Sequence, residues 1–271
     1  MSTTTATRVA ARPATTDIRV TFPRLVRSEW IKLWTVRSTW WVVPIAILAQ
    51  TGFAWLIAYF GTQSSGPDGP GDFTADYLVM GIQFSQLAVC VLAVLTLTGE
   101  YSTGMIRSTL TSAPKRLPAL HAKGLVILAV SFAIGVVAAV LSWLVTYPVL
   151  GDTYRLDLGD ATNQRVLLGA PLYMVGIAVL AYAIGALLRH TAGGIAAVLG
   201  LLLVIEPLLS SVPWKFFTTI APYLPQSAGQ QLFAVNSSDP VLTPWEGFGV
   251  LVLWGVVLYA LAALAMKRRD A

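Results

Sequence analysis

Six long apolar runs punctuate the chain, at roughly Trp40–Phe60, Tyr77–Leu97, Gly124–Tyr147, Val166–Leu188, Ala192–Ser211 and Glu246–Met266. Each approaches or exceeds the about 20 helical residues that cross a bilayer core. None shows the alternation of a β-barrel strand, and backbone inside lipid must satisfy its own hydrogen bonds. The pattern therefore predicts an all-α membrane protein with six transmembrane helices. Two shorter stretches carry a helical pattern without being long enough to span. In PRLVRSEWIKLWTVRSTWW, Val26, Trp30, Leu33 and Trp34 recur at i, i+4, i+7 and i+8, one face of a helix. Arg24, Arg27, Ser28 and Lys32 fall largely elsewhere. Such a basic amphipathic helix suits the membrane interface, with Trp40 and Trp41 marking entry to the first span. The second stretch, GEYSTGMIRSTLTSAPKRLPAL, lies between spans two and three. There Ser102 or Thr103 is placed to cap a short helix, Met105 pairs with Thr109 and Ile106 with Leu110, and Pro114 supplies a stop. A basic loop with incidental helicity accounts for the same residues.

Composition agrees with the pattern. Of 271 residues, 56% are hydrophobic and only 11% charged, against about a quarter charged in a soluble domain. Mean hydropathy is +0.70. Residues 1–22 are polar, Thr/Ala-rich and basic, without the apolar core of a secretory signal, and read as a disordered cytoplasmic tail. Residues 23–271 then form a single transmembrane domain.

Charge orients the spans. Fifteen of the 18 lysines and arginines fall on one side, in the tail, the segment after span two, Arg189 and the C-terminus. Only Arg155, Arg165 and Lys215 fall on the other, which instead carries Asp68, Asp72, Asp76, Asp152, Asp157 and Asp160. By the positive-inside rule both termini are cytoplasmic. The net charge of +5 is then a property of topology, and nucleic acid is not expected as a partner.

Candidate chemistry is sparse. There is no GxxxxGK[ST] phosphate loop, HExxH, CxxC or GxSxG sequence. One cysteine, Cys90, and two histidines, His121 and His190, offer no disulfide framework and no evident metal set. No catalytic, cofactor or metal residue is expected, and the chain does not read as an enzyme. The clear intramembrane carboxylate is Glu206, about 21 Å along its span from Ala192 at 1.5 Å per residue. It reads either as lining a substrate path or a dimer seam, or as a helix-end group reaching headgroups or the following loop, with Pro207 breaking the helix. Between spans five and six, Trp214, Phe216, Phe217, Ile220 and Tyr223 suit an interfacial or re-entrant element, or a loop with an aromatic belt. Gly176, Gly185, Gly193 and Gly194 suit close helix approach.

The segment Arg27–Trp41, the GEYSTGMIRSTLTSAPKRLPALHAKG stretch and the six-span layout together resemble the permease subunit of a bacterial type-2 ABC transporter. The resemblance covers nearly all of the chain beyond the tail. It implies that the stretch after span two holds a coupling helix, with Glu100, Tyr101, Gly104, Ile106 and Arg107 at or beside a separate ATPase subunit. It implies a second permease chain, ATP and Mg held by the partner, re-entrant helices between spans five and six, and a place in the bacterial cytoplasmic membrane as an exporter. The rival reading is a membrane anchor, or an immunity or sensory protein, that recruits a cytoplasmic partner and transports nothing. A membrane enzyme is the weaker third reading, since paired intramembrane ionisable groups are lacking. Composition does not name a cargo; an apolar route suits a hydrophobic drug, a lipid or a peptide alike.

Overall fold

The computed structural model describes residues 21–63, 75–105, 116–150, 157, 159–235 and 241–268. All regular structure among them is helical. We number the helices α1 (Phe22–Thr35), α2 (Arg37–Gln63), α3 (Ile82–Ser102), α4 (Arg116–Leu150), α5 (Ala161–Leu188), α6 (Thr191–Ser211), α7 (Lys215–Ile220), α8 (Pro225–Gln230) and α9 (Pro244–Arg268). Six are long and apolar enough to cross a membrane: α2, α3 with the preceding 3₁₀ turn, α4, α5, α6 and α9. They coincide with the six expected runs, but most extend further. The largest difference is α4, which begins at Arg116 rather than near Gly124. Pro118 does not delay it, because a proline in the first turn removes only an N–H that has no helical partner.

The centre of the bundle is α5. In its most apolar 18-residue window 67% of positions are buried, against 17% in α9 and 22% in α2 and α6. It packs against α3, α4, α6 and α9. Small residues set the separations. A Cβ on Gly81 would lie 2.5 Å from the Gln50 backbone, which brings the start of α3 against α2. Gly135 of α4 meets the Pro171 backbone of α5 equally closely. The expected role of glycines holds for Gly176, whose Cβ would strike Leu251, and for Gly185 and Gly194, which sit against Val94. Gly193 instead lies beside His190 of its own helix cap.

The chain between α6 and α9 is itself structured. A short exposed helix, α7, leads through a 3₁₀ turn (Ala221–Tyr223) into α8, whose Pro225, Ala228 and Gly229 are buried. Gly247 of α9 admits the Ala228 carbonyl where any side chain would collide, and Gly229 fits against Tyr173 and Leu251. Trp214 and Phe216 stay exposed, at 68% and 67%.

At the other end, α1 meets α2 at a corner around Val36. Trp40 Nε1 donates to the Trp34 carbonyl at 2.9 Å, and the Trp34 ring sits between a tilted Trp30 and an edge-on Trp40. Residues 1–20 of the tail expected at 1–22 and the helical turns expected around Ile106–Leu110 lie outside the described residues. Phe22, expected in the tail, begins α1.

The close approaches predict opposite outcomes for two glycines. Gly81→Ala should lower the melting temperature of the detergent-solubilised protein, by about 1–3 kcal/mol of overpacking. Gly52→Ala, where a Cβ meets nothing within 4 Å, should leave it unchanged or raise it, since Ala is about 1 kcal/mol better than Gly within a helix. Equal shifts for the pair would remove contact as the cause.

Candidate functional site: a buried charge cluster

Three helix ends converge beside α1. The first is α1 itself, which starts at Thr21–Pro23 with a proline in its first turn and ends where Val36 turns extended. The sequence pattern puts Val26, Trp30, Leu33 and Trp34 on its apolar face. The structure turns the helix so that Glu29 and Leu33 are buried, Val26 and Trp34 are half-buried, and Trp30 and Ile31 point outward. The face that meets the bundle is thus centred on a carboxylate.

The second is the end of α3. Glu100 occupies its last turn and is 7% exposed. Ser102 and Thr103 turn their hydroxyls back onto the Gly99 carbonyl at 3.0 and 2.8 Å, which closes α3. The helix they were expected to cap lies outside the described residues. The chain then turns at Gly104 with φ +74°, the left-handed value that favours glycine just beyond a helix C-terminus. The third is the start of α4, where Lys123 lies two turns in and is 3% exposed.

These elements assemble four charges. Lys123 Nζ donates to Glu29 Oε2 at 2.5 Å and to Glu100 Oε1 at 2.8 Å. Lys32 Nζ, half-buried at the edge, donates to Glu29 Oε1 at 2.7 Å and to Glu100 Oε1 at 3.0 Å. Each ammonium therefore touches both carboxylates, and the four described charges sum to zero. Isolated charges in such surroundings cost several kcal/mol each, whereas alternation with good hydrogen bonds offsets that loss. Burial works against the charge on Lys32, but its bonds to Glu29 and Glu100 outweigh this and hold its pKa above the ordinary 10.5. A pKa raised on folding gives stability that is full below the unfolded value and fades above it. The Lys32 contribution is thus intact at neutral pH and lost only in strong alkali.

Neighbouring contacts fasten this end to the rest of the bundle. Arg189, left-handed at the end of α5, stacks its guanidinium 5.5 Å from the Tyr101 ring and donates to the Ala265 carbonyl of α9. His121 Nδ1 lies 2.5 Å from the Tyr259 hydroxyl, and Tyr182 donates to the Leu120 carbonyl. Consequently α1, the ends of α3, α5 and α9, and the start of α4 all lie at one end of the bundle.

Glu206 lies at the opposite end. A π-helical turn, Leu201–Ile205, precedes it, and the Glu206 N–H donates to the Leu201 carbonyl five residues back. The widened turn lets α6 pass Pro207 and run on to Ser211, so Pro207 does not break the helix as the sequence suggests. The Glu206 carboxylate is 1% exposed and accepts from the backbone N–H groups of Gln226 and Ser227 at 3.0–3.1 Å. At the far end of the same segment, Arg165 donates to the carbonyls of Gln231, Leu232 and Ala234. An acid at the N-terminal end of α8 and a cation beyond its C-terminal end complement the helix dipole. Tyr173, buried beneath, donates to Gln86, which in turn donates to Gln83 and Gln226.

Of the residues assigned to a partner surface, Glu100 is enclosed in the cluster, Tyr101 is half-buried under Arg189, and Gly104 is exposed at the turn. Ile106 and Arg107 lie outside the described residues. Glu29, Lys32, Lys123 and Arg165 were missed. Glu29 and Glu100 had a signal: each is the lone carboxylate in a long stretch, between Asp17 and Asp68 and between Asp76 and Asp152. Among the described residues no group of three metal-ligating side chains occurs. No protein-family model matches the chain, and no curated protein is significantly similar to it in sequence.

Removing Lys123 leaves two buried carboxylates facing each other. Lys123→Met should destabilise the protein by about 3–5 kcal/mol, and adding Glu29→Gln and Glu100→Gln should restore much of that loss. Lys32→Met should cost less, because that ammonium is partly solvated. Thermal unfolding in detergent reads all three; equal losses from Lys123→Met and Lys32→Met would refute the ranking.

Proposed function

We propose that the chain is the membrane-spanning permease subunit of an ATP-driven exporter, working with a separate ATPase subunit and a second permease chain. The observation that supports this best is the charge cluster. It joins α1, the end of α3 and the start of α4, and the last two flank the segment 103–115. A plain anchor gains nothing from burying four charges at the base of such a segment. A lever does: a push on 103–115 from a partner passes into α3, α4 and α1 as one body, a rigid-element transition rather than a loop deformation. In this reading Glu100 and Lys123 brace the lever, and the residues beyond Gly104, with Ile106 and Arg107 among them, make the contact. ATP and Mg belong to the partner. The α1 end faces the bacterial cytoplasm, where the basic residues gather, and α7 and α8 form a re-entrant cap on the outer side.

Two measurements test the reading. Co-expression with a soluble ATPase encoded beside this chain should give a complex that co-purifies. Ile106→Asp and Arg107→Ala should weaken it while leaving membrane insertion and melting temperature unchanged. Full retention of binding and coupled transport in both variants would overturn the coupling assignment. For orientation, cysteines replacing Asp72 and Asp157 should react with an impermeant maleimide from outside intact cells, and one replacing Lys115 should not. The reverse pattern would invert the topology.

A further inference from the structure

Beside the charge cluster is a half-open cleft of about 240 Å³ between α1, α2 and α3. Glu29, Lys32, Glu100 and Lys123 form one end. Leu33, Val36, Leu92, Leu95, Gly99 and Met105 line much of the remainder. We propose that this cleft is a binding site for a single acyl chain of a bilayer phospholipid, entering beneath α1.

Four observations converge on that occupant. The four described charges at the charged end sum to zero, with each carboxylate engaged by both ammonium groups. The remaining wall is mainly apolar, and hydrocarbon is what it complements. The volume lies below the about 300–1,000 Å³ of sites for drug-sized molecules and fits part of one chain rather than a compact ligand. Finally, space is left open above the α3 backbone: a Cβ on Gly99 would meet nothing within 4 Å. Val36, Ser38 and Thr39 at the α1–α2 corner also line the cleft, and around that corner Trp30, Ile31, Trp40 and Trp41 are exposed, the last two at 62% and 73%. Aromatic side chains of this kind gather at the headgroup level. A chain drawn from the adjacent leaflet reaches the cleft there while its headgroup stays in the interface. The site rests on the reading of α1 as an interfacial helix. It makes the seat of α1 depend partly on lipid as well as on charge.

The test uses the full-length chain in vesicles of phosphatidylcholine and phosphatidylglycerol, doped with a phosphatidylcholine carrying a diazirine at the end of one acyl chain. After irradiation, labelled residues are mapped by mass spectrometry. Leu48, 67% exposed on α2, reports ordinary lipid contact; Leu33 and Leu92, 6% and 2% exposed, are shielded unless a chain enters the cleft. Label is expected at all three. Gly99→Phe and, independently, Leu95→Trp fill the cleft and should abolish label at Leu33 and Leu92 while keeping it at Leu48. Label at Leu48 alone in the unmodified chain would overturn the acyl site, as would persistence at Leu33 and Leu92 in both filled variants. Absence of label at Leu48 as well would instead overturn the membrane placement on which the site and the proposed function both rest.

Discussion

Lys123 is buried on α4 between two carboxylates from different helices, and the arrangement of one whole end of the molecule follows from it. A lone ammonium at 3% exposure is not tolerable. Glu29 and Glu100 must therefore come to it, and they bring α1 and the end of α3 with them. This is why α1 turns a carboxylate toward the bundle and leaves Trp30 outside, against its own hydrophobic pattern. Hydrophobic contact is non-directional and would tolerate several rotations of a surface helix. An ion pair with two short hydrogen bonds selects one.

The opposite end solves a different problem with related means. A six-residue helix has few internal hydrogen bonds and many unpaired backbone groups at its ends. Between apolar spans these groups need protein partners, because lipid offers none. Glu206 supplies acceptors for one end of α8 and Arg165 supplies donors beyond the other. The π turn before Pro207 belongs to the same arrangement, since it carries α6 past the missing N–H and on toward Ser211. Glycines 229 and 247 then remove the bulk that would hold α8 away from α5 and α9. In hydrocarbon, where apolar contact with lipid is as favourable as contact with protein, such close packing is what holds helices together.

The two ends divide the labour proposed for an exporter. One is a braced unit of helix ends flanking the segment 103–115; the other is a cap tied at both its termini. The eleven residues from Gln86, beneath the cap, to Thr96, at the edge of the cleft, are part of one continuous helix. In the proposed function this helix would carry displacement at the charge cluster toward the cap; helical geometry is interrupted at Val36 and at Gly104.

The sequence by itself determined the spans. Six apolar runs longer than a bilayer core allow only helices there, because backbone in lipid has no other hydrogen-bond partner, and each run reappears as a helix. It also pointed to α1 as an amphipathic helix, while between α6 and α9 it left an interfacial or re-entrant element and a plain loop both open. What it did not determine was contact between distant charges. Glu29, Glu100 and Lys123 each look like an ordinary polar residue near the end of a span. Their sequence separations, 94 residues for Lys123–Glu29 and 23 for Lys123–Glu100, carry no period that a local pattern can register. Hydrophobic periodicity reports which face avoids water; it is silent on which charges meet once water is gone. Only the packing of α1 against α4 and the end of α3 decided that, and with it the orientation of α1, the burial of Glu100 and the open space above Gly99.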